Sequence, residues 1–325
     1  VRRGAVVLSL IAVTAPVVAA HATAAAQTSQ AAPATSSYTF VDSTRSTPCT
    51  GATDRTLNVT VVTPGTTEPS PVVLVGPGSG ASQRAVAKSD AAALAARGYV
   101  GVALDFPCTN APGLSTTDPA VALDVYHQPA DVSFVLTNLL SLSATPGTAL
   151  SGLLDPARVG LVGTSSGAVT GLLLFNTCCT DGRIRAMEII KGFPLPTTAG
   201  LPVTGAYDWS RPIATYFWSG CLDVVTPHDA AATAFAQLGP PKAFVTDPTG
   251  THDTPPIFPG GTAEAFLDRY VAGDASAATA APFLAAAADP YFAYDLGDSI
   301  APHAATSGCA PPPTAPILFA PSFTG

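Results

Sequence analysis

The sequence predicts an α/β protein, a doubly wound and mostly parallel sheet flanked by helices. Three observations predict it. Short continuous apolar runs, at residues 71–75 and 158–162, read as strands buried on both faces. Helix-forming stretches such as 85–97 alternate with such runs along most of the chain. Finally, Gly163-Thr164-Ser165-Ser166-Gly167 stands between the run 158–162 and a second apolar run at 168–175. That is the strand, sharp turn and helix setting in which a G-x-S-x-G sequence exposes its serine.

Taken in order, residues 57–62 alternate like a half-buried strand, and 71–75 read as a central one. Residues 85–97 form a helix ended by Gly98, and 99–104 are the next buried strand. Pro129 sits near the first turn of a helix, where its missing N–H costs nothing. Val132, Val135, Leu136, Leu139 and Leu140 share one face of that helix. Residues 184–190, 213–218 and 242–245 are further strands, with a helix over 230–238. From 275 the chain is Ala-rich and after 301 Pro-rich, which suggests a final helix and a tail. No internal repeat is visible.

Composition bounds the function. Of 325 residues, 47% are hydrophobic and 11% charged, with 28 Gly and 32 Pro. This is ample for a large core, and the charge fraction is well under the roughly 25% usual for globular chains. Arg2 and Arg3 precede the apolar stretch 5–20, and Ala20-His21-Ala22 or Ala24-Ala25-Ala26 supplies an A-x-A site. Residues 1–26 are therefore expected to be a secretory signal peptide and the protein to be secreted, by the Sec or the twin-arginine route. No later apolar run approaches the roughly 18 residues of a spanning helix, so stable membrane insertion is not expected. The formal net charge is −8, and loss of Arg2 and Arg3 makes the remainder more acidic still. An acidic surface without a basic stripe argues against nucleic acid as a partner.

The chain is expected to divide into the signal segment 1–26, an Ala/Thr/Ser/Gln-rich disordered linker 27–37, an α/β domain 38–272, and an Ala/Pro-rich extension 273–325 packed on it. A monomer is expected. Six cysteines in a secreted chain favour disulfides. Six cysteines allow fifteen pairings, among which the sequence does not choose; the expected set joins Cys49 to Cys108 and Cys309 to Cys221 or to the Cys178/Cys179 pair. A metal site is the rival reading, but there is no C-x-x-C spacing or Cys/His cluster to support it. The sequon Asn58-Val59-Thr60 is a glycan acceptor in a suitable host.

Ligands of such sheets bind outside the carboxyl ends of the strands, so the loops there hold the candidates. A serine hydroxyl needs a histidine to take its proton, and the histidine needs a carboxylate to fix its tautomer. His252 lies in the loop after the strand ending at Val245, the last strand-end loop. His127 and His228 sit near helix starts, and His303 lies in the tail. Asp223, in Ser219-Gly220-Cys221-Leu222-Asp223, follows the preceding strand, with Asp208 and Asp253 as alternative acids. Asp105 also ends a strand but precedes the serine, and reads as loop structure. An oxyanion needs two backbone N–H donors. One falls to Ser166, and the other to Ser79 in Gly76-Pro77-Gly78-Ser79-Gly80. The same glycine-rich loop could cradle phosphate, but its spacing fits neither a Walker A nor a dinucleotide fingerprint.

Through these residues the chain resembles the α/β-hydrolase superfamily over 38–272, in the order nucleophile, acid, base. Val41-Asp42-Ser43-Thr44-Arg45 and Arg55-Thr56-Leu57 are similar to the N-terminal segment of secreted dienelactone-hydrolase-like and platelet-activating-factor-acetylhydrolase-like enzymes. Pro77-Gly78 through Gln83, with Arg97-Gly98-Tyr99-Val100, is similar to bacterial cutinase-like polyester hydrolases. Both groups place their triad where Ser165, Asp223 and His252 stand, and both use the position of Ser79 as an oxyanion donor. The chain departs in carrying Pro77-Gly78 where many relatives have His-Gly. It also has serine at 79 and 166, where polyesterases have an aromatic residue and Met. Trp209 is then left to supply any aromatic platform from the loop 192–210.

The resemblance implies a secreted serine esterase without cofactor or metal, acting through an acyl-enzyme on a small-molecule or polymeric ester. The span 190–213 is too short for a large lid, so an open site favouring short acyl chains is expected. The alternatives are a cutinase-like polyester hydrolase and a non-catalytic secreted binding protein on the same fold.

Overall fold

A computed structural model describes residues 32–115, 117–198 and 200–309. The expected signal segment, the first residues of the expected linker and the end of the tail lie outside the described residues. β1 (Ala34–Asp42) and β2 (Arg55–Thr63) form an antiparallel pair at one edge of the sheet. β3 (Ser70–Gly76), α1 (Gln83–Ala96) and β4 (Val100–Asp105) follow, then α2 (Pro119–Asp124) and α3 (Gln128–Ala144). β5 (Leu154–Thr164), α4 (Ser166–Leu173) and β6 (Ile184–Ile190) make the centre. β7 (Ala214–Gly220), α5 (His228–Gln237) and β8 (Lys242–Asp247) come next. α6 (Thr262–Leu267), α7 (Ala277–Ala286) and β9 (Phe292–Asp295) complete the chain.

The nine strands form one sheet in the order β1-β2-β4-β3-β5-β6-β7-β8-β9. β4-β3-β5-β6-β7-β8 are parallel, while β2 runs antiparallel to β4 and β9 to β8. Every residue of β3 and β7 is buried, as an apolar run covered on both faces requires. One face packs Val132, Val135, Leu136 and Leu139 of α3, Ala168 and Leu172 of α4, and Ala231 and Ala234 of α5. The other packs Ala87, Ala91 and Leu94 of α1 with Phe266 of α6 and Phe283 of α7. Every residue of α4 is buried, which fits its mostly apolar sequence, and its two hydroxyls, Ser166 and Thr170, are hydrogen-bonded inside.

Three expectations need correction. Residues 34–37 are not linker but the start of β1, where register pairs Ala34 with Thr63 and Tyr38 with Val59. Their small polar side chains carry no burial signal, because an edge strand is held by backbone hydrogen bonds. The boundary at 272 does not hold either: α7 buries Phe283 in the core, and β9 pairs Phe292 with Val245. The part of the extension described here therefore completes the sheet. Asp105 ends β4 as expected, but instead of plain loop structure its side chain is ion-paired to Arg84 at 2.8 Å.

All six cysteines are paired: Cys49 with Cys108, Cys221 with Cys309, and Cys178 with its neighbour Cys179. Among the described residues no helix is long and apolar enough to cross a membrane.

Candidate active site

Ser165 occupies the turn between β5 and α4 with φ 53° and ψ −117°, one of two non-glycine residues of positive φ among those described. A left-handed backbone costs an L-residue of order 1–3 kcal/mol, so the surroundings must enforce it. The strand delivers its N–H to the carbonyl of Ile190 at 2.9 Å, and the helix takes its carbonyl from Val169 N–H at 2.9 Å. Close packing fixes the rest. A Cβ on Gly167 would stand 2.0 Å from the carbonyl oxygen of Gly76. Only glycine allows α4 to start directly against β3.

Asp223 and His252 come from the loops after β7 and β8. Those loops are joined by Cys221 N–H to Asp247 O and Leu222 N–H to Gly250 O, both 2.8 Å. A Cβ on Gly220 would lie 2.3 Å from Gly250 O, so this approach also depends on glycine. The result is a line of hydrogen bonds. His252 Nε2 lies 3.0 Å from Ser165 Oγ, and His252 Nδ1 lies 2.8 Å from Asp223 Oδ2. The Asp223 side chain is fully buried, while the imidazole is about a quarter exposed, at 24%.

Asp223 has further donors. Val225 N–H and Thr226 N–H both reach Oδ1 at 2.8 Å, and the Thr226 hydroxyl reaches Oδ2 at 2.6 Å. Burial pushes its carboxyl up, but the hydrogen bonds from Thr226, His252 and Val225 outweigh burial and hold it below the usual carboxylate range. The carboxylate is thus ionised and fixed, suited to holding an N–H on the Nδ1 side of the imidazole.

Ser166 opens α4, and its hydroxyl donates to Pro77 O at 3.3 Å. A Cβ on Gly78 would be in ordinary contact, 3.4 Å, with Ser165 Cβ, so the loop carrying Ser79 runs beside the serine. Among the described residues, no protein acceptor takes the backbone N–H of Ser79 or of Ser166.

The chain matches no family model and no curated protein. Solved structures do match, among them the ferulic acid esterase from Streptomyces cinnamoneus, with a TM-score of 0.56 and 19% identity. The match covers 78% of this chain and 94% of that one. The fold is that of the α/β-hydrolases.

On this α/β-hydrolase scaffold the other sequence candidates stand elsewhere. Asp253 is exposed, and Asp208 accepts from the N–H and hydroxyl of Ser210. His228 contacts Thr246 Oγ1 at 3.1 Å and packs edge-on against Phe244. His127 directly precedes α3, where burial and the charge of Arg55 lower its pKa. His303 pairs its backbone with Tyr294. Trp209 is a correction: it stacks on Tyr207 at 4.8 Å, tilts against Phe175 at 5.4 Å and packs on the core. Its ring is half-buried against these partners. Phe193 and Tyr207 are the aromatics of that loop that pack against the small cluster with Val125, Tyr126 and Val169 of α4.

Cys221, His228 and Cys309 place ligand atoms within 4.8 Å of one another. The two sulfurs are bonded together, which removes the thiolates a Cys/His metal centre needs.

Sequence reasoning missed Thr226 and Lys191. Thr226 sits three residues beyond the acid, the spacing at which a hydroxyl folds back on an aspartate, so the signal was present in Asp223-Val224-Val225-Thr226. Lys191 follows β6 with φ 56°, and its ammonium lies 5.5 Å from the centre of the Trp218 ring. Burial lowers its pKa, against the opposing influence of Asp223 and Asp253. Nothing in the sequence marks it.

Proposed function

We propose that the protein is a secreted serine esterase that cleaves carboxylic esters through an acyl-enzyme. The observation that carries this reading is the line Ser165–His252–Asp223, with hydrogen bonds of 3.0 and 2.8 Å, beside two N–H groups that have no protein acceptor among the described residues. Ser165 Oγ attacks the ester carbonyl as its proton passes to His252 Nε2, and the carbonyl oxygen becomes an oxyanion facing the N–H groups of Ser79 and Ser166. Collapse of this adduct expels the alcohol, which takes the proton back from His252. Water then repeats the sequence on the acyl-enzyme, releasing the acid and restoring Ser165. Asp223 orients the imidazole and stabilises its transient charge without being protonated. The three disulfides suit an oxidising, extracytoplasmic setting.

Between β6 and β7 the described residues form no helix or strand, which favours an open site and short acyl chains. A fluorophosphonate probe tests the mechanism. Wild type is expected to label at Ser165, and Ser165→Ala to lose labelling together with at least about a 10⁴-fold loss of kcat. Labelling retained in Ser165→Ala removes this serine from the chemistry. A probe that labels neither protein favours a non-catalytic binding role. Faster turnover of octanoyl or longer p-nitrophenyl esters than of acetyl or butyryl esters would overturn the short-chain preference. Because the structural neighbour is named as a ferulic acid esterase, feruloyl esters belong in the same panel.

One observation favours a second reading, hydrolysis of polyesters. Leu222, Val224 and Val225 flank Asp223 and Ile257 follows His252, all between 54% and 72% exposed. Apolar side chains presented on both loops suit contact with an apolar solid. Clearing of an aliphatic polyester film by wild type but not by Ser165→Ala would select this reading.

A further inference from the structure

Behind the two oxyanion donors lies a chain of buried polar groups that touches neither Ser165 nor His252. Asn110 is fully buried in the loop after β4. Its Nδ2 donates to Gly78 O at 2.8 Å and Gly80 O at 3.2 Å, the carbonyls on either side of Ser79, and its Oδ1 accepts from Phe106 N–H at 3.1 Å. Gly80 N–H in turn donates to Thr109 O at 2.7 Å. The Ser79 loop is thereby held by three hydrogen bonds to residues 109 and 110.

Gln128, the first residue of α3 and also fully buried, reaches across to the other donor. Its Nε2 donates to Thr109 Oγ1 at 2.9 Å. Its Oε1 accepts from Thr170 Oγ1 of α4 at 2.5 Å, and the same hydroxyl is 2.9 Å from the carbonyl of Ser166. The amide of Gln128 therefore spans the gap between the segment behind Ser79 and the first turn of α4. Its far side is anchored too. Asp124 Oδ2 lies 3.5 Å from Gln128 Nε2, and Asp124 Oδ1 accepts from Arg55 at 2.7 Å. Burial opposes the charge of Arg55, but Asp131 and Asp124 outweigh it and hold the guanidinium charged. The Cys49–Cys108 bond ties the same loop to the segment before β2.

Buried amides in a core cost free energy unless each bond is made, and a fully bonded network fixes one geometry. An oxyanion hole needs that fixity, because its donors must point where charge develops. We propose that Asn110 and Gln128 are positioning residues of the oxyanion hole, holding the N–H groups of Ser79 and Ser166 at one separation and aim. This rests on the serine-esterase reading above.

The test compares wild type with Gln128→Met, which keeps volume and removes its side-chain hydrogen bonds, and Asn110→Asp, which turns a donor into an oxygen facing two carbonyls. Active sites are titrated with the fluorophosphonate, and kcat per titrated site is measured on p-nitrophenyl acetate. The inhibition constant of a trifluoromethyl ketone is measured alongside. Ser165 Oγ adds to the ketone carbon, its proton passes to His252, and the ketone oxygen becomes an oxyanion like that of the reaction. The expected result is a 10–100-fold fall in kcat per site with KM within about twofold, and a matching rise in the inhibition constant. A purely structural role would lower Tm or the titratable fraction and leave kcat per site unchanged. Folded variants with kcat per site and inhibition within twofold of wild type overturn the proposal. Should Asn110→Asp fail to fold, Thr170→Val, which deletes the shared hydroxyl at constant shape, carries the same comparison. Failure of wild type to label removes the esterase reading and this one together. Labelled wild type with unaffected variants removes this one alone.

Discussion

Thr226 gives Asp223 a hydroxyl hydrogen bond at 2.6 Å, and its oxygen is also 3.5 Å from His252 Nδ1. Thr226→Val keeps the shape and both backbone donors, so it isolates that bond. We expect a fall in kcat of about tenfold with little change in KM, because a less fixed carboxylate orients the imidazole less well. A pH effect accompanies it. The folded-state pKa of Asp223 is lowered, so its hydrogen bonds stabilise the fold above the ordinary carboxylate range and that stability is lost as pH falls through the lowered value. In Thr226→Val the folded-state value is lowered less, so the acid-dependent loss should be smaller and should end at higher pH, which melting curves between pH 3 and 5 will read. Glu188, buried on β6 with Oε1 unpartnered, runs the other way: burial first, then Glu264, pushes its carboxyl up to about 8. It is protonated when folded and ionised when unfolded between about 4.5 and 8, so it makes stability fall as pH rises, by about 1.4 kcal/mol per pH unit. Glu188→Gln should therefore exceed wild type in Tm by several degrees at pH 8 and converge with it near pH 4.5. A gap that stays constant with pH contradicts this.

At the scale of elements, the turn from β5 into α4 is the most constrained. Gly167→Ala would drive a methyl to 2.0 Å from Gly76 O, where neither β3 nor α4 can withdraw without breaking the sheet. We expect a loss of about 3 kcal/mol or more, visible as a large drop in Tm or in soluble yield. A Gly167→Ala protein melting with wild type would show that the two elements do not meet as described. The central strands were legible because β3 and β7 are continuous apolar runs, and α3 because its buried residues repeat at helical spacing. β1 was not. Its register with β2 is held by backbone bonds to partners 13 to 29 residues away, while Ala34-Thr35-Ser36-Ser37 looks like linker by composition. Ser165, Asp223 and His252 could be nominated because each follows a strand. Asn110 and Gln128 could not, since a polar residue in a loop or at a helix start is ordinary until its burial is seen.

For the whole molecule, the disulfides differ in what they constrain. Cys221–Cys309 spans 88 residues and ties the tail to the loop of Asp223, and Cys49–Cys108 spans 59. Loop-closure entropy assigns each about 4–5 kcal/mol, whereas Cys178–Cys179 links neighbours and restricts the unfolded chain very little. Replacing Cys221 and Cys309 by serine should lower Tm by on the order of 10 °C. Replacing Cys178 and Cys179 should move it by no more than a degree or two. Equal losses from both replacements would refute the entropic account. The tail is thus part of the fold's stability, and β9 and α7 share its core.

The sequence by itself determined the alternation of strands and helices, the turn at Ser165, and the loops from which an acid and a base could come. These are local matters of periodicity, glycine placement and strand ends. Only the tertiary structure decided which small polar segment becomes an edge strand, which cysteine Cys309 joins, and which buried amides stand behind Ser79 and Ser166. Each of those depends on a partner distant in the chain, and a side chain's hydrogen bonds are set by where that partner packs, not by its own neighbours in sequence.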